Sequence, residues 1–220
     1  MKVKPSTAAA LISLKTSLLI YAGVLFTVLA SMSGLVLEPQ HQLGGQEPAE
    51  VVIDPVLGTM GTYPVPLEYK AELGRNVYQS MGCVYCHSQQ VRPEGFGADI
   101  ERGWGARRTV SRDYLFNNPP LLGTMRTGPD LANIAVRQPS YEWHHLHLYN
   151  PRLTSPGSIM PAFRFMYRRD RLAEGEELPR GAIALPETDG EYIIPKDQAE
   201  QLFTYLMTLD KSTPLPEASQ

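Results

Sequence analysis

The sequence predicts a mainly α-helical protein, in which a single N-terminal transmembrane helix precedes a helical domain with long loops. Three observations carry that expectation. Residues 16–37 are apolar and free of charge, two later stretches space their apolar residues as helices do, and the chain between them is too rich in Gly and Pro to show long strands. Net charge is −3, from 20 Lys and Arg against 23 Asp and Glu, which gives no footprint for nucleic acid.

At about 1.5 Å per residue the run from Thr16 to Leu37 reaches about 33 Å, enough for a hydrocarbon core of about 30 Å. Lys2, Lys4 and Lys15 precede it, and Glu38, Glu47, Glu50 and Asp54 are the first charges after it. The positive-inside rule then leaves the N-terminus cytoplasmic and exports the remainder. Val28-Leu29-Ala30 also fits a signal-peptide cleavage site. Leu35, Val36 and Leu37 extend the run beyond where such a leader needs to end, which favours a retained anchor. The expected layout is a cytoplasmic N-terminus and anchor over 1–37, a linker over 38–66, a domain over 67–210 and a tail over 211–220.

The linker follows from Pro39, Pro48, Pro55, Pro64 and Pro66 with Gly44, Gly45, Gly58 and Gly61, a composition that resists regular structure. Ala71, Leu73, Val77, Tyr78 and Met81 predict a helix within 67–81, capped by Gly82. Pro195 suits a first helical position, and Leu202, Leu206 and Leu209 share a face with Phe203 and Tyr205 alongside. Gly74 and Tyr78 are spaced i, i+4, so the first helix offers a small residue and an aromatic to a crossing partner, for which Leu202, Phe203 and Tyr205 are candidates. A shorter helix is expected over 141–148, with Ser140 as its cap and Pro151 after its end. Residues 164–194 read as a surface excursion without a core role.

Cys83-Val84-Tyr85-Cys86-His87 is the C-x-x-C-H signature of covalent c-type haem attachment. Two thiols three residues apart add to the two vinyl groups of one porphyrin, and the adjacent imidazole then lies under the iron. The motif uses both cysteines of the chain, so a zinc site of three or four thiolates is excluded. A thioredoxin-type C-x-x-C normally sits beside a βαβ pattern, and no strand runs lead into Cys83. One covalently attached haem c is the cofactor expected, and a class I cytochrome c-like haem domain is the fold.

Electron transfer at a six-coordinate haem needs a second axial ligand, and a Met thioether raises the potential relative to bis-His ligation. Met160, in Ser158-Ile159-Met160-Pro161-Ala162-Phe163, is the strongest candidate because prolines stiffen its loop. Met125 and Met166 stay open, Met81 is too close to the attachment site, and Met207 belongs to the closing helix. His144, His145 and His147 compete as imidazoles, although a cluster of this spacing is more often a hydrogen-bonding element. His87 needs an acceptor for its other ring N–H, and a carbonyl within Arg126-Thr127-Gly128-Pro129-Asp130-Leu131 could serve. Arg92, Arg126, Arg152 and Trp104 are candidates to meet the propionates, with Arg126 favoured for its place beside the Gly-Pro turn. An open axial position would instead make the chain a haem sensor or peroxidase. Nothing in the chain calls for catalytic chemistry of its own.

Four blocks in order, CVYCHSQQVRP (83–93), RTGPDL (126–131), EWHHLHLYNPR (142–152) and SIMPAF (158–163), behind one membrane helix, resemble the mono-haem cytochrome c subunit (subunit II) of cbb-type cytochrome c oxidases, which are haem-copper oxygen reductases. The resemblance implies that Cys83 and Cys86 anchor the haem, His87 and Met160 ligate iron, and the Pro129 carbonyl receives the His87 N–H. It implies an anchor in the lipid bilayer of a bacterial inner membrane, with the haem domain on the periplasmic side. Its partners would be a catalytic haem-copper oxidase subunit, where oxygen is reduced, and a di-haem cytochrome c subunit or another c-type electron donor. Residues 95–122 and 164–194 do not match the family pattern. The alternatives are the cytochrome c subunit of nitric oxide reductase, from which the second and third blocks point away, and a periplasmic carrier if the leader is cleaved.

Overall fold

The structure, a computed structural model, describes residues 7–54, 56–173 and 175–218. Lys2, Lys4 and Pro55 of the sequence reading lie outside the described residues. The chain divides into two compact units, residues 1–47 and 48–220.

The first unit is helical. Helix α1 (Thr7–Met32) passes through a π-helical turn, Ser33–Leu37, into α2 (Glu38–Leu43). Residues 13–43 form a helix long and apolar enough to cross a membrane. The helix therefore runs past residue 38, where a linker was expected, and His41 is helical. Pro39 lacks the N–H that an α-turn requires, and the wider turn before it, with Glu38 N donating to Ser33 O, accommodates that loss.

In the second unit the expected linker holds a hairpin, β1 (Ala49–Asp54) and β2 (Thr59–Tyr63), antiparallel with Ala49 opposite Tyr63 and a register shift between Val52 and Asp54. Ala49, Val51 and Tyr63 pack against Val110, Leu215 and Ala218, so the hairpin within the expected linker and Leu215 and Ala218 of the expected tail are packed with the domain.

Helices α3 (Tyr69–Ser80) and α7 (Asp197–Leu206) cross at Gly74. A Cβ there would lie 1.9 Å from Gln201 O and 2.8 Å from Tyr205 Cβ, so only glycine permits the approach. Tyr78 meets Tyr205 edge to face at 5.5 Å between centroids, close to the partner face expected. Met81 is the C-cap of α3, one residue before the predicted cap, and Gly82 follows it at φ +76°.

Between these helices run α4 (Cys83–Cys86), α5 (Ile134–Arg137) and α6 (Tyr141–Tyr149), with Ser140 Oγ accepting from Trp143 N at the start of α6 as predicted. The 164–194 stretch is not a surface excursion. It forms a three-stranded antiparallel sheet in the order β3 (Tyr167–Arg171), β5 (Glu191–Pro195), β4 (Ile183–Ala184). Met166, Tyr167, Ile183, Leu185 and Ile193 from this stretch are buried in the main core with Tyr78, Leu202 and Tyr205. Its strands carry no alternating pattern to read: every residue of β3 after Tyr167 is exposed and charged, and the buried residues of β5, Tyr192 and Ile193, are adjacent. Pro195 ends β5, and α7 begins after Lys196.

Candidate haem site

The one-turn helix α4 starts from left-handed Gly82 and closes with His87 N donating to Cys83 O at 2.9 Å. Both thiols are free, Cys83 half-buried and Cys86 exposed, and three-residue spacing on a helical turn puts them on one face. Burial pushes the Cys83 thiol up to about 11.

His87 is held by the segment after α4. Its Nδ1 donates to Pro129 O at 2.8 Å. A carbonyl can only accept, so the proton resides on Nδ1 and the Nε2 lone pair is left for a metal. Burial lowers the His87 pKa, which keeps the ring neutral and able to ligate. Gly128 lies against the ring: a Cβ there would be 2.3 Å from His87 Cε1. Gly128 N donates to Cys86 O at 2.9 Å, and Leu131 N to Ser88 O at 2.8 Å. Gly123, at φ +86°, passes so close that a Cβ would meet His87 O at 2.3 Å. The Gly-Pro turn was foreseen from the sequence; the contribution of Gly123 was not.

Arg126 extends from this turn into a network. Its Nε donates to Ser88 Oγ at 2.7 Å, Nη1 to Asp99 Oδ1 at 2.7 Å and Nη2 to Gln90 O at 2.5 Å. The Arg126 guanidinium stands 5.2 Å over the Trp104 ring. Arg92 pairs with the same carboxylate at 2.9 Å. Burial alone would raise the Asp99 pKa; hydrogen bonds from Arg92 and Arg126 outweigh it and hold the group at about 2. Asp130, also buried, accepts from Ser88 Oγ at 2.6 Å and Gln90 N at 2.8 Å. A second buried carboxylate, Asp113, binds Arg107 through both guanidinium nitrogens at 2.7 and 2.9 Å and accepts from Tyr63 Oη at 2.6 Å. Residues 95–122 are thus organised about Asp99 and Asp113, which in the sequence resemble ordinary surface charges.

Met160 is half-buried and packs on the main core, as do Cys83, Val84, Leu131 and Phe163. Its N donates to Ser158 Oγ at 3.3 Å, and its O accepts from Arg152 Nη1 at 3.2 Å. Phe163 N donates to Leu148 O at 2.9 Å, tying the loop to α6. Among the other methionines, Met166 is fully buried in the core and Met125 is exposed.

The histidines of α6 have protein partners. His144 Nε2 donates to Gln138 O at 2.7 Å, His145 Nδ1 lies 3.0 Å from Tyr167 Oη, and His147 Nδ1 lies 2.6 Å from Thr154 Oγ1. His144 and His145 are buried. Burial lowers His145 and His147 to about 4 each. Trp143 stacks on His147 at 4.5 Å.

These residues fit a haem. A neutral imidazole with a free Nε2, two unpaired thiols one turn away, and a glycine leaving no room for a side chain beside the ring are what covalent attachment with axial ligation requires. The family described as cytochrome C oxidase, mono-heme subunit/FixO matches residues 53–192, and the chain belongs to that family. Its members carry one haem and serve as electron-transfer subunits of an oxidoreductase complex with a catalytic oxidase partner. No curated protein matches the chain.

Proposed function

We propose that this chain is a membrane-anchored mono-haem cytochrome c that relays electrons to the catalytic subunit of a cbb-type oxidase. Residues 67–210 form its class I cytochrome c-like domain, carried on the periplasmic side of a bacterial inner membrane. The observation that carries the reading is the His87–Pro129 hydrogen bond beside Gly128, which orients a neutral imidazole next to two free thiols. Cys83 and Cys86 would hold the haem as thioethers, and His87 and Met160 would ligate its iron. A haem bound there supplies a one-electron iron couple. The protein side of the relay is orientation and rigidity: the Pro129 carbonyl fixes the ring, and Asp130 locks the turn to Ser88 and Gln90. Arg126 positions the same turn through Ser88 and Asp99, and its cationic charge would favour a haem propionate. The immediate donor is a di-haem cytochrome c subunit or another c-type protein of the same complex.

The test is the full chain matured with haem. Its haem is expected to stay with the polypeptide on a denaturing gel, and Cys83→Ala with Cys86→Ala to abolish that. Met160→Ala is expected to alter the absorption spectrum and admit carbon monoxide to the iron. An unchanged spectrum with unchanged carbon monoxide reactivity would remove Met160 from the site.

A further inference from the structure

The charge of the chain reverses around the Met160 loop. Between Trp143 and Ala173 the only charged residues, with histidine neutral, are Arg152, Arg164, Arg168, Arg169, Arg171 and Asp170, in a chain of net charge −3. Arg169 and Arg171 are both paired with Glu191. Arg152, Arg164, Arg168 and Lys196 are exposed and have no salt bridge among the described residues. Asp170 and Asp197 are the carboxylates beside them in the chain.

These cations border two exposed apolar side chains, Ile159 at 76% and Phe165 at 56% of full exposure. Arg152 reaches the Met160 carbonyl, Lys196 Nζ donates to Phe165 O at 2.7 Å, and Arg164 lies 5.7 Å over Tyr149. Arg168 stands opposite Ile194 at the end of β3 that Lys196 adjoins. An apolar centre with a charged rim is the anatomy of a protein interface, and unpaired surface cations beside it give that interface a sign. The remainder of the chain is net negative, so an anionic partner is attracted here and repelled elsewhere.

We propose that this face docks an acidic redox protein surface that delivers electrons on the Met160 side, seated on Ile159 and Phe165 and steered by Arg152, Arg164, Arg168 and Lys196. The inference rests on the haem reading above. One electron leaves the reduced centre of the partner, which is oxidised, and enters the haem of this chain, which is reduced; no covalent bond changes.

The experiment uses the full haem-loaded chain in detergent and follows haem reduction in stopped flow. The reductants are the ferrous EDTA dianion and the hexaammineruthenium(II) cation. From about 10 mM to about 150 mM salt, reduction by the anion is expected to slow about tenfold in the wild type. The R164E/R168E variant is expected to lose that advantage, as is the milder R164Q/R168Q variant should the reversal fail to fold, while R180E in the neighbouring loop behaves as wild type. Poly-L-glutamate is expected to protect the wild type from the anion and not the variants. Wild-type kinetics in both variants would overturn the proposal. Protection by phosphatidylglycerol vesicles but not by polyglutamate would also overturn it, because the face would then meet lipid. A chain that carries no haem and accepts electrons from neither reductant would refute the haem reading itself, a different result from haem that is reduced without regard to charge.

Discussion

The two sides of the site are built by different means. On the His87 side the main chain does the holding: Pro129 O fixes the ring, Gly128 and Gly123 leave no space for side chains, and Cys86 and Ser88 carbonyls bind the turn that carries them. On the Met160 side one main-chain bond, Phe163 N to Leu148 O at 2.9 Å, ties the end of the loop to α6, while Met160 itself is held by two side-chain hydrogen bonds of 3.2 and 3.3 Å and partial burial, with Ile159 exposed beside it. Backbone contacts of the first kind tolerate almost no substitution, whereas side-chain contacts of the second kind give way gradually. An electron-transfer site gains from this division, since the His87 side fixes geometry while the Met160 side is free to present a surface.

The sharpest way to break the comparison is Gly128→Ala. Its Cβ would fall 2.3 Å from the His87 ring, so either the ring or the turn must move. Overpacking of this kind costs about 1–3 kcal/mol. Haem absorbance per mole of protein and the thermal midpoint should both fall. Met160→Ala should cost less than about 2 kcal/mol, because the side chain is only partly buried, yet change the spectrum more sharply than the stability. The reverse order of stabilities would show that the methionine loop, and not the glycine turn, is the rigid side.

Acid should separate the two sides as well. His145, on the α6 helix that the Met160 loop is tied to, packs against Tyr167 of β3 and Phe203 of α7 and is lowered to about 4 by burial, while Glu200 favours and His144 and Lys70 oppose its protonation. Its ordinary value is 6.5, so between 6.5 and 4 the unfolded chain binds the extra proton and stability falls as pH falls through that window. Asp99, on the His87 side, is held at about 2 against an ordinary 3.8, so its contribution is present above 3.8 and lost only as pH drops from there toward 2. The thermal midpoint should therefore decline in two windows. His145→Gln is expected to flatten the upper one by about 2–4 °C, and Asp99→Asn the lower. His147 is lowered to about 4 as well, so part of the upper window should remain in His145→Gln, and a window left wholly unchanged would assign it to His147 instead.

What the sequence made legible follows the same division. The attachment motif, the Gly-Pro turn and the Gly74 crossing were readable because each is a local backbone requirement written in residue type. Asp99, Asp113 and His145 were not, since a buried charge or imidazole is defined by partners distant in the chain: Arg126 for Asp99, Tyr63 for Asp113, Tyr167 for His145. The 49–63 hairpin and the 167–195 sheet were missed for a related reason. Their turns are rich in Pro and Gly and their outward positions in charge, so a composition that signals irregular chain also suits short strands whose inward residues find a core elsewhere, as Val51 does against Val110 and Leu215.

Arg152→Ala gives the smallest effect and the finest test of the contrast. The guanidinium is exposed and makes one hydrogen bond of 3.2 Å to Met160 O, which is worth about 0.5–1.5 kcal/mol at most, with solvent able to replace it. If the loop depends on side chains, loss of that bond should leave the fold intact, loosen the loop and raise the carbon monoxide reactivity of the haem slightly, while haem content stays at wild-type level. If the loop were as firmly set as the Gly128 turn, prolines alone would hold Met160 in place and Arg152→Ala would leave carbon monoxide binding unchanged.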